Sequence, residues 1–218
     1  MAACDLDIVF QFVLVGYEGS APDSTVLKKA YKEGFDVPPS RYYLADGGYS
    51  AVDNRLLVPY EKTRYHIREQ RVAQRRPETK EELFNLRHAQ LRNVVKRVFG
   101  VLKKRFPILA QGAHSGYGIR EQTRFILCCF VLHNFILLSG DQPLSSEPDL
   151  LGPRDKDSDD DADGEDEDGF EDLGDVSSSR RARFRDEMAE LMWKDYQEFL
   201  EMKGLDIRGP QLDDEFDW

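Results

Sequence analysis

Ile8 to Val15 is an almost unbroken run of apolar, β-branched or aromatic side chains, interrupted by Gln11 and ended by Gly16. Such a run fits a strand covered on both faces, as in a sheet packed between helices. Gly16 to Pro22 is rich in turn formers. After Asp23-Ser24, the residues Val26, Leu27, Ala30 and Tyr31 fall at helical spacing. Tyr42 to Ala45 reads as a second strand ended by Asp46-Gly47-Gly48, and Leu56 to Val58 as a third, closed by Pro59. Strand, helix, strand in that order predicts an α/β layered domain.

Residues 61–80 are polar and basic without an apolar period, and read as a loop. A long helix is predicted from about Glu81, because Leu91, Val95, Val98, Phe99, Leu102 and Phe106 recur at three- and four-residue steps until Pro107 stops them. Ile119 to Leu138 is apolar nearly all round after Arg124 and is expected to be a core helix. Its purely apolar part, Phe125 to Leu138, is short for a bilayer and is interrupted by His133-Asn134, so no membrane association is expected. Asp155 to Asp172 carries twelve acids and almost no apolar side chain, a composition that cannot bury enough surface to fold. Beyond it Phe184, Met188, Leu191, Met192, Tyr196, Phe199 and Leu200 mark one amphipathic helix. The organisation read from this pattern is an α/β domain over 1–139, an acidic disordered linker over 140–179, an amphipathic helix over 180–203 and a tail over 204–218.

Charge changes that picture. The net charge of −11 hides two unlike halves: residues 1–140 hold 21 basic and 14 acidic side chains, residues 141–218 hold 9 and 27. The bulk acidity argues against a polyanionic partner, but the first 140 residues taken alone do not. Three cysteines, two of them adjacent, do not form a secreted disulfide framework, and no signal segment opens the chain. A reducing compartment is expected, the nucleus first and the cytoplasm otherwise.

Asp46 is the most suggestive single residue. It ends an apolar strand and is followed by two glycines, the place where open α/β sheets put ligand-binding and catalytic groups. A carboxylate there suits a Mg²⁺ ligand, and it equally suits an ordinary Asp-Gly turn. Asp23, directly before a helix start, reads as an N-cap or, less directly, as a metal ligand. His88 reads as a packed or locally bonded side chain, and Cys128, Cys129 and His133 lack the paired spacing of a zinc site. The acidic run does not make a calcium loop, since a register with Asp159, Asp161, Asp163 and Gly164 in place puts Phe170 where a glutamate is required.

Several segments taken together resemble the Harbinger/PIF family of transposases. They are Gly16 to Ser24, Tyr43-Leu44-Ala45-Asp46-Gly47-Gly48-Tyr49, Leu57-Val58-Pro59-Tyr60 and Arg64-Tyr65-His66. They continue with Phe84-Asn85-Leu86-Arg87-His88, Arg92 through Phe106, Leu132-His133-Asn134-Phe135 and Met192-Trp193. The resemblance implies an RNase H-like fold with an Asp-Asp-Glu triad that cleaves DNA phosphodiesters with Mg²⁺ or Mn²⁺. Carried over by position, Asp46 matches the second acid and Asp23 an aspartate that touches metal in the family. Lys96 stands at the place of the glutamate. The first aspartate belongs to a strand preceding the equivalent of Cys4, and the chain starts after it. The expectation is a partial RNase H-like domain lacking its first strand and its activity, with Lys96 either paired to Asp46 where a metal would sit or facing solvent beside Arg92 and Lys103 on one helical face. Without that strand, lying between 8–15 and 42–46, sheet edges stay open, so a partner strand or protein is expected to complete the sheet.

A non-catalytic reading is kept beside this one, a DNA- or protein-binding module. Phosphate contacts would come from Arg64, Arg68, Arg71, Arg75, Arg76, Arg92, Lys103, Lys104 and Arg105, all of which are equally explained as solvated faces. Arg180-Arg181 to Arg185 fits a nuclear signal or a solvated helix start.

Overall fold

The computed structural model describes residues 1–38, 41–49, 56–61, 63, 76–110, 116–140 and 175–206, and of 175–181 only the backbone. Most of the predicted basic loop and the whole acidic run therefore lie outside the described residues, as does the segment Arg64-Tyr65-His66. The chain divides into two compact units, one made of Met1, 17–94 and 176–218, the other of 2–16 and 95–175.

In the first unit the sequence expectations hold closely. Helix α1 spans Asp23–Lys32 and buries Val26, Leu27 and Ala30, the helically spaced set. It closes at Gly34, whose φ of +93° suits only glycine comfortably, with the Phe35 amide donating back to the Ala30 carbonyl at 2.9 Å. Strand β3 (Tyr43–Leu44) pairs in parallel with β4 (Leu56–Leu57), Tyr43 beside Leu56 and Leu44 beside Leu57. The first part of helix α2 (Lys80–Arg105) buries Leu83, Phe84 and Leu86. Helix α4 (Asp175–Lys203), the C-terminal amphipathic helix, closes this core. Ala189 packs with Leu57 and Phe84, and Tyr196 and Leu200 pack with Leu83.

Polar ties hold the same layers. Asn85 is completely buried and grips one residue of the chain after β4. Its Oδ1 accepts the Tyr60 amide at 2.8 Å, and its Nδ2 donates to the Tyr60 carbonyl at 3.0 Å. Arg185 of α4 lies 3.9 Å over the Tyr60 ring, whose hydroxyl donates to Asp186 at 2.6 Å.

The second unit contains strands β1 (Ala2–Cys4) and β2 (Phe10–Val13), the end of α2, and helix α3 (Ile119–Leu138). β1 is antiparallel to β2, with Ala2 opposite Val13 and Cys4 opposite Phe10, and a bulge between Ala3 and Cys4. β1 was not readable from its three residues. It gives β2 a strand partner that the sequence analysis did not foresee. Asn134 serves Phe10 as Asn85 serves Tyr60: its Oδ1 accepts the Phe10 amide at 2.9 Å and its Nδ2 donates to the Phe10 carbonyl at 2.7 Å. His133, also fully buried, bonds the Ile8 carbonyl through Nε2 at 3.0 Å, and Ile8 itself sits at a φ of +58°. Because that carbonyl accepts, Nε2 carries the proton and Nδ1 is left to accept from the Arg105 guanidinium, 3.2 Å away. Phe10, Val98, Leu102 and Phe130 form the core around this tie, with the Phe10 and Phe130 rings edge to face at 4.4 Å.

Candidate functional site

Asp46 stands where the sequence put it, at the end of β3. The Ala45 amide donates to the Leu57 carbonyl at 3.0 Å, so strand pairing continues to the residue before the carboxylate. Residues Gly47–Tyr49 then turn tightly in a 3-10 helix. Asp46 Oδ1 accepts the Gly47 amide at 2.8 Å, the local bond expected of an Asp-Gly turn. Its other oxygen, Oδ2, is taken by the Arg92 guanidinium at 2.6 Å, a short charge-assisted bond between side chains 37% and 23% exposed. At that exposure the pair contributes on the order of 1 kcal/mol at most.

The second carboxylate arrives from α1. Pro22 occupies the cap position and no side chain caps the helix, so Asp23 is the first helical residue and not the N-cap that its sequence position predicted. Its carboxylate is used elsewhere: Oδ1 accepts the Tyr49 hydroxyl at 3.2 Å. Gly48 makes the approach feasible, since a Cβ there would stand 2.9 Å from Asp23 Oδ2. The Tyr49 hydroxyl is held well above the ordinary tyrosine range, first by burial and then by the Asp23 charge and hydrogen bond, with Asp46 adding and Arg92 opposing. One phenol thus feels both carboxylates.

His88 completes the surroundings, one turn before Arg92 on α2. Its Nε2 bonds the Leu57 carbonyl at 3.0 Å, the packed and locally bonded role read from sequence. Burial holds His88 below the ordinary histidine pKa, and the Arg92 cation works the same way, against the Leu57 carbonyl and the Asp46 charge. The unfolded chain therefore takes up a proton near pH 6 that folded His88 refuses, and the first unit loses stability as pH falls below about 6.5. His88→Gln retains a donor toward Leu57 without titrating. It is expected to flatten the pH dependence of the unfolding midpoint below about pH 6.5. An unchanged slope in the variant would assign that dependence to other groups.

The donor set does not fit a two-metal centre. Such a centre needs several carboxylates free to face two cations about 4 Å apart. Here Asp46 faces a guanidinium and an amide, Asp23 faces a phenol, and among the described residues no three acidic, histidine or cysteine side chains converge. Arg92 meets Asp46 in an ion pair within their own unit. Lys96, the partner expected from sequence, follows one turn later on α2 and is counted with the second unit. Sequence reasoning had placed Arg92 among the phosphate contacts. The usable signal was the four-residue step from Arg92 to Lys96, which puts both cations on one helical face.

The remaining basic residues separate. Arg64, Arg68, Arg71 and Arg75 lie outside the described residues. Arg76 is buried, with Nη1 donating to the Asp206 carbonyl at 2.6 Å, and a buried guanidinium does not reach phosphate. Arg76 therefore leaves the phosphate-contact set and becomes a tie to the end of the C-terminal helix. Arg105 is half-buried and turned to His133, whereas Lys103 and Lys104 are exposed. Arg185, from the basic run that fitted a nuclear signal, lies on the Tyr60 ring and donates to the Pro59 carbonyl at 3.3 Å.

Comparison with known proteins adds a family. Residues 1–134 match the family model described as DDE superfamily endonuclease. Among curated proteins, "Protein ALP1-like" of Arabidopsis thaliana is 28% identical over 163 residues, which make up 67% of this chain and 37% of that protein. The chain thus spans well under half the length of this relative. No solved structure matches.

Proposed function

The chain belongs to the DDE superfamily endonucleases, and from that premise we propose that it is a member in which metal-dependent phosphodiester cleavage has been lost. The family generally uses a divalent metal. The observation that carries the proposal is the ion pair between Asp46 and Arg92. A dication binding at Asp46 must displace a guanidinium and then sit beside it, and the repulsion between the two cations opposes the binding. The position of Lys96 at the family's glutamate, as the Harbinger/PIF resemblance implies, removes a second anionic ligand. The retained role in this reading is non-catalytic binding of DNA in the nucleus. Lys103 and Lys104, with Arg64, Arg68, Arg71 and Arg75, would make the phosphate contacts.

The test is cleavage of supercoiled plasmid with Mg²⁺ or Mn²⁺, together with calorimetric titration of Mn²⁺. The expected outcome is intact plasmid and no tight Mn²⁺ binding. Arg92→Ala is expected to raise the Mn²⁺ affinity of the protein about tenfold or more by removing the guanidinium charge beside Asp46, still without cleavage, since Lys96 keeps the place of the family's glutamate. Nicking by the unmodified chain that disappears in Asp46→Asn would overturn the proposal. Retention on DNA that weakens steeply with salt, and weakens less steeply in Lys103→Ala/Lys104→Ala, is expected from the binding role.

A further inference from the structure

Helix α3 is apolar on nearly every side, yet among the described residues one side of it is buried. Cys129, Phe130 and His133 are buried, and His133 with Asn134 holds the backbone of Ile8 and Phe10. On the opposite side Cys128, Val131, Phe135 and Leu138 recur at steps of three and four residues, the spacing of a helix–helix seam. Cys128 is exposed, and Val131, Phe135 and Leu138 are 68%, 65% and 74% exposed, with Leu127 and Leu132 flanking them. The patch is on the order of several hundred Å², at or beyond the largest that a soluble monomer ordinarily leaves bare.

We propose that this stripe is an interface between two copies of the chain, α3 packed antiparallel on α3 about a two-fold axis at the level of His133. Area and charge both select that occupant. Two such faces together reach on the order of 1,000 Å², about where specific association begins. The antiparallel register puts Cys128 opposite Leu138 and Val131 opposite Phe135, so every facing pair is apolar. It also carries Arg120 and Arg124 of each copy past the C-terminus of its partner's α3. There they meet the negative end of the helix dipole. A parallel pair would instead set Arg124 against Arg124. By length and composition α3 is long and apolar enough to cross a membrane. However, its inner side is bonded to the β1–β2 hairpin, and Arg120, Glu121 and Arg124 lie within it, which a bilayer core does not accommodate. This inference does not depend on the functional reading above.

The experiment is sedimentation equilibrium of the full chain across the micromolar range, with disulfide trapping. A reversible monomer–dimer equilibrium is expected. Phe135→Glu is expected to weaken it at least tenfold with an unchanged circular dichroism spectrum, since that side chain points away from the hairpin contacts. Leu138→Cys is expected to give a disulfide-linked dimer through Cys128, and Leu138→Cys combined with Cys128→Ser to give none. A chain that stays monomeric and untrapped throughout would overturn the proposal. Unmodified protein that cross-links through Cys128 alone would overturn the register. Phe135-dependent binding to phosphatidylcholine/phosphatidylserine vesicles without dimerisation would replace the second copy with a lipid surface.

Discussion

A chain ending at residue 174 is expected to lose the first unit and keep the second. The matched family region stops at residue 134, so such a chain retains all of it, and family boundaries alone predict no loss. The packing predicts otherwise. Ala189, Tyr196 and Leu200 of α4 are each at most 2% exposed, and they cover Leu57, Phe84 and Leu83, which are buried to the same degree. Fully burying one large apolar side chain stabilises by roughly 1.5–3 kcal/mol, so removing this cover costs on the order of 8 kcal/mol. That is comparable to the whole stability of a typical domain, roughly 5–15 kcal/mol. The buried guanidinium of Arg76 also loses its acceptor at Asp206. The second unit draws its core from Phe10, Val98, Leu102 and Phe130, all within its own segments. Hydrogen exchange measured segment by segment checks this. Amides of residues 26–30, 56–58 and 83–88 should exchange freely in the shortened chain while those of 98–102 and 126–134 stay protected. Unaltered protection in α1 would show that α4 is dispensable.

That result also bears on what could be read from the amino acids. Long elements with an apolar period were legible almost to the residue: α3 runs over the predicted Ile119 to Leu138, and α2 stops where Pro107 requires. The strands were legible in kind but longer in sequence than in the fold, Ile8 to Val15 narrowing to Phe10–Val13, because pairing and not apolarity sets their limits. β1 was invisible. Three small residues carry no period, and only a partner defines them as a strand. The reading of α3 as a core helix was half right, since apolar composition says nothing about which side the rest of the chain covers. Asp46 was legible as a strand-end carboxylate, and its turn bond was the expected one. Its ion pair with Arg92, 46 residues away, was not, because the four-residue step from Arg92 to Lys96 marks a shared helical face and not which of the two cations the acid meets. The same is true of Asn85 and Asn134. Both sat within family-like segments, and neither advertised its role as a backbone clamp.

Those two asparagines carry the second large expected effect. Each presents an acceptor and a donor to the amide and carbonyl of one residue, Asn85 to Tyr60 and Asn134 to Phe10, in the manner of a neighbouring strand, and Asn85 Nδ2 also donates to the Thr63 carbonyl at 3.4 Å. Truncation to alanine strands both backbone groups, at roughly 1–3 kcal/mol for each one left unsatisfied away from water. Asn85→Ala is therefore expected to destabilise the first unit by about 2–5 kcal/mol, and Asn134→Ala the second by somewhat less, since Asn85 is fully buried and Asn134 only half-buried. Size alone does not explain such a loss, and the isosteric aspartate separates the two accounts. Asp at either place still accepts the amide hydrogen but sets an anion against the carbonyl that needs a donor. At pH 7 it should be no better than alanine. Below about pH 4 its protonated carboxyl can donate again, and the cost relative to asparagine should shrink as pH falls. Thermal unfolding of the four variants between neutral and acid pH reads this directly. A neutral effect of aspartate at pH 7 would mean that these side chains fill space and the strand ends are held by something else.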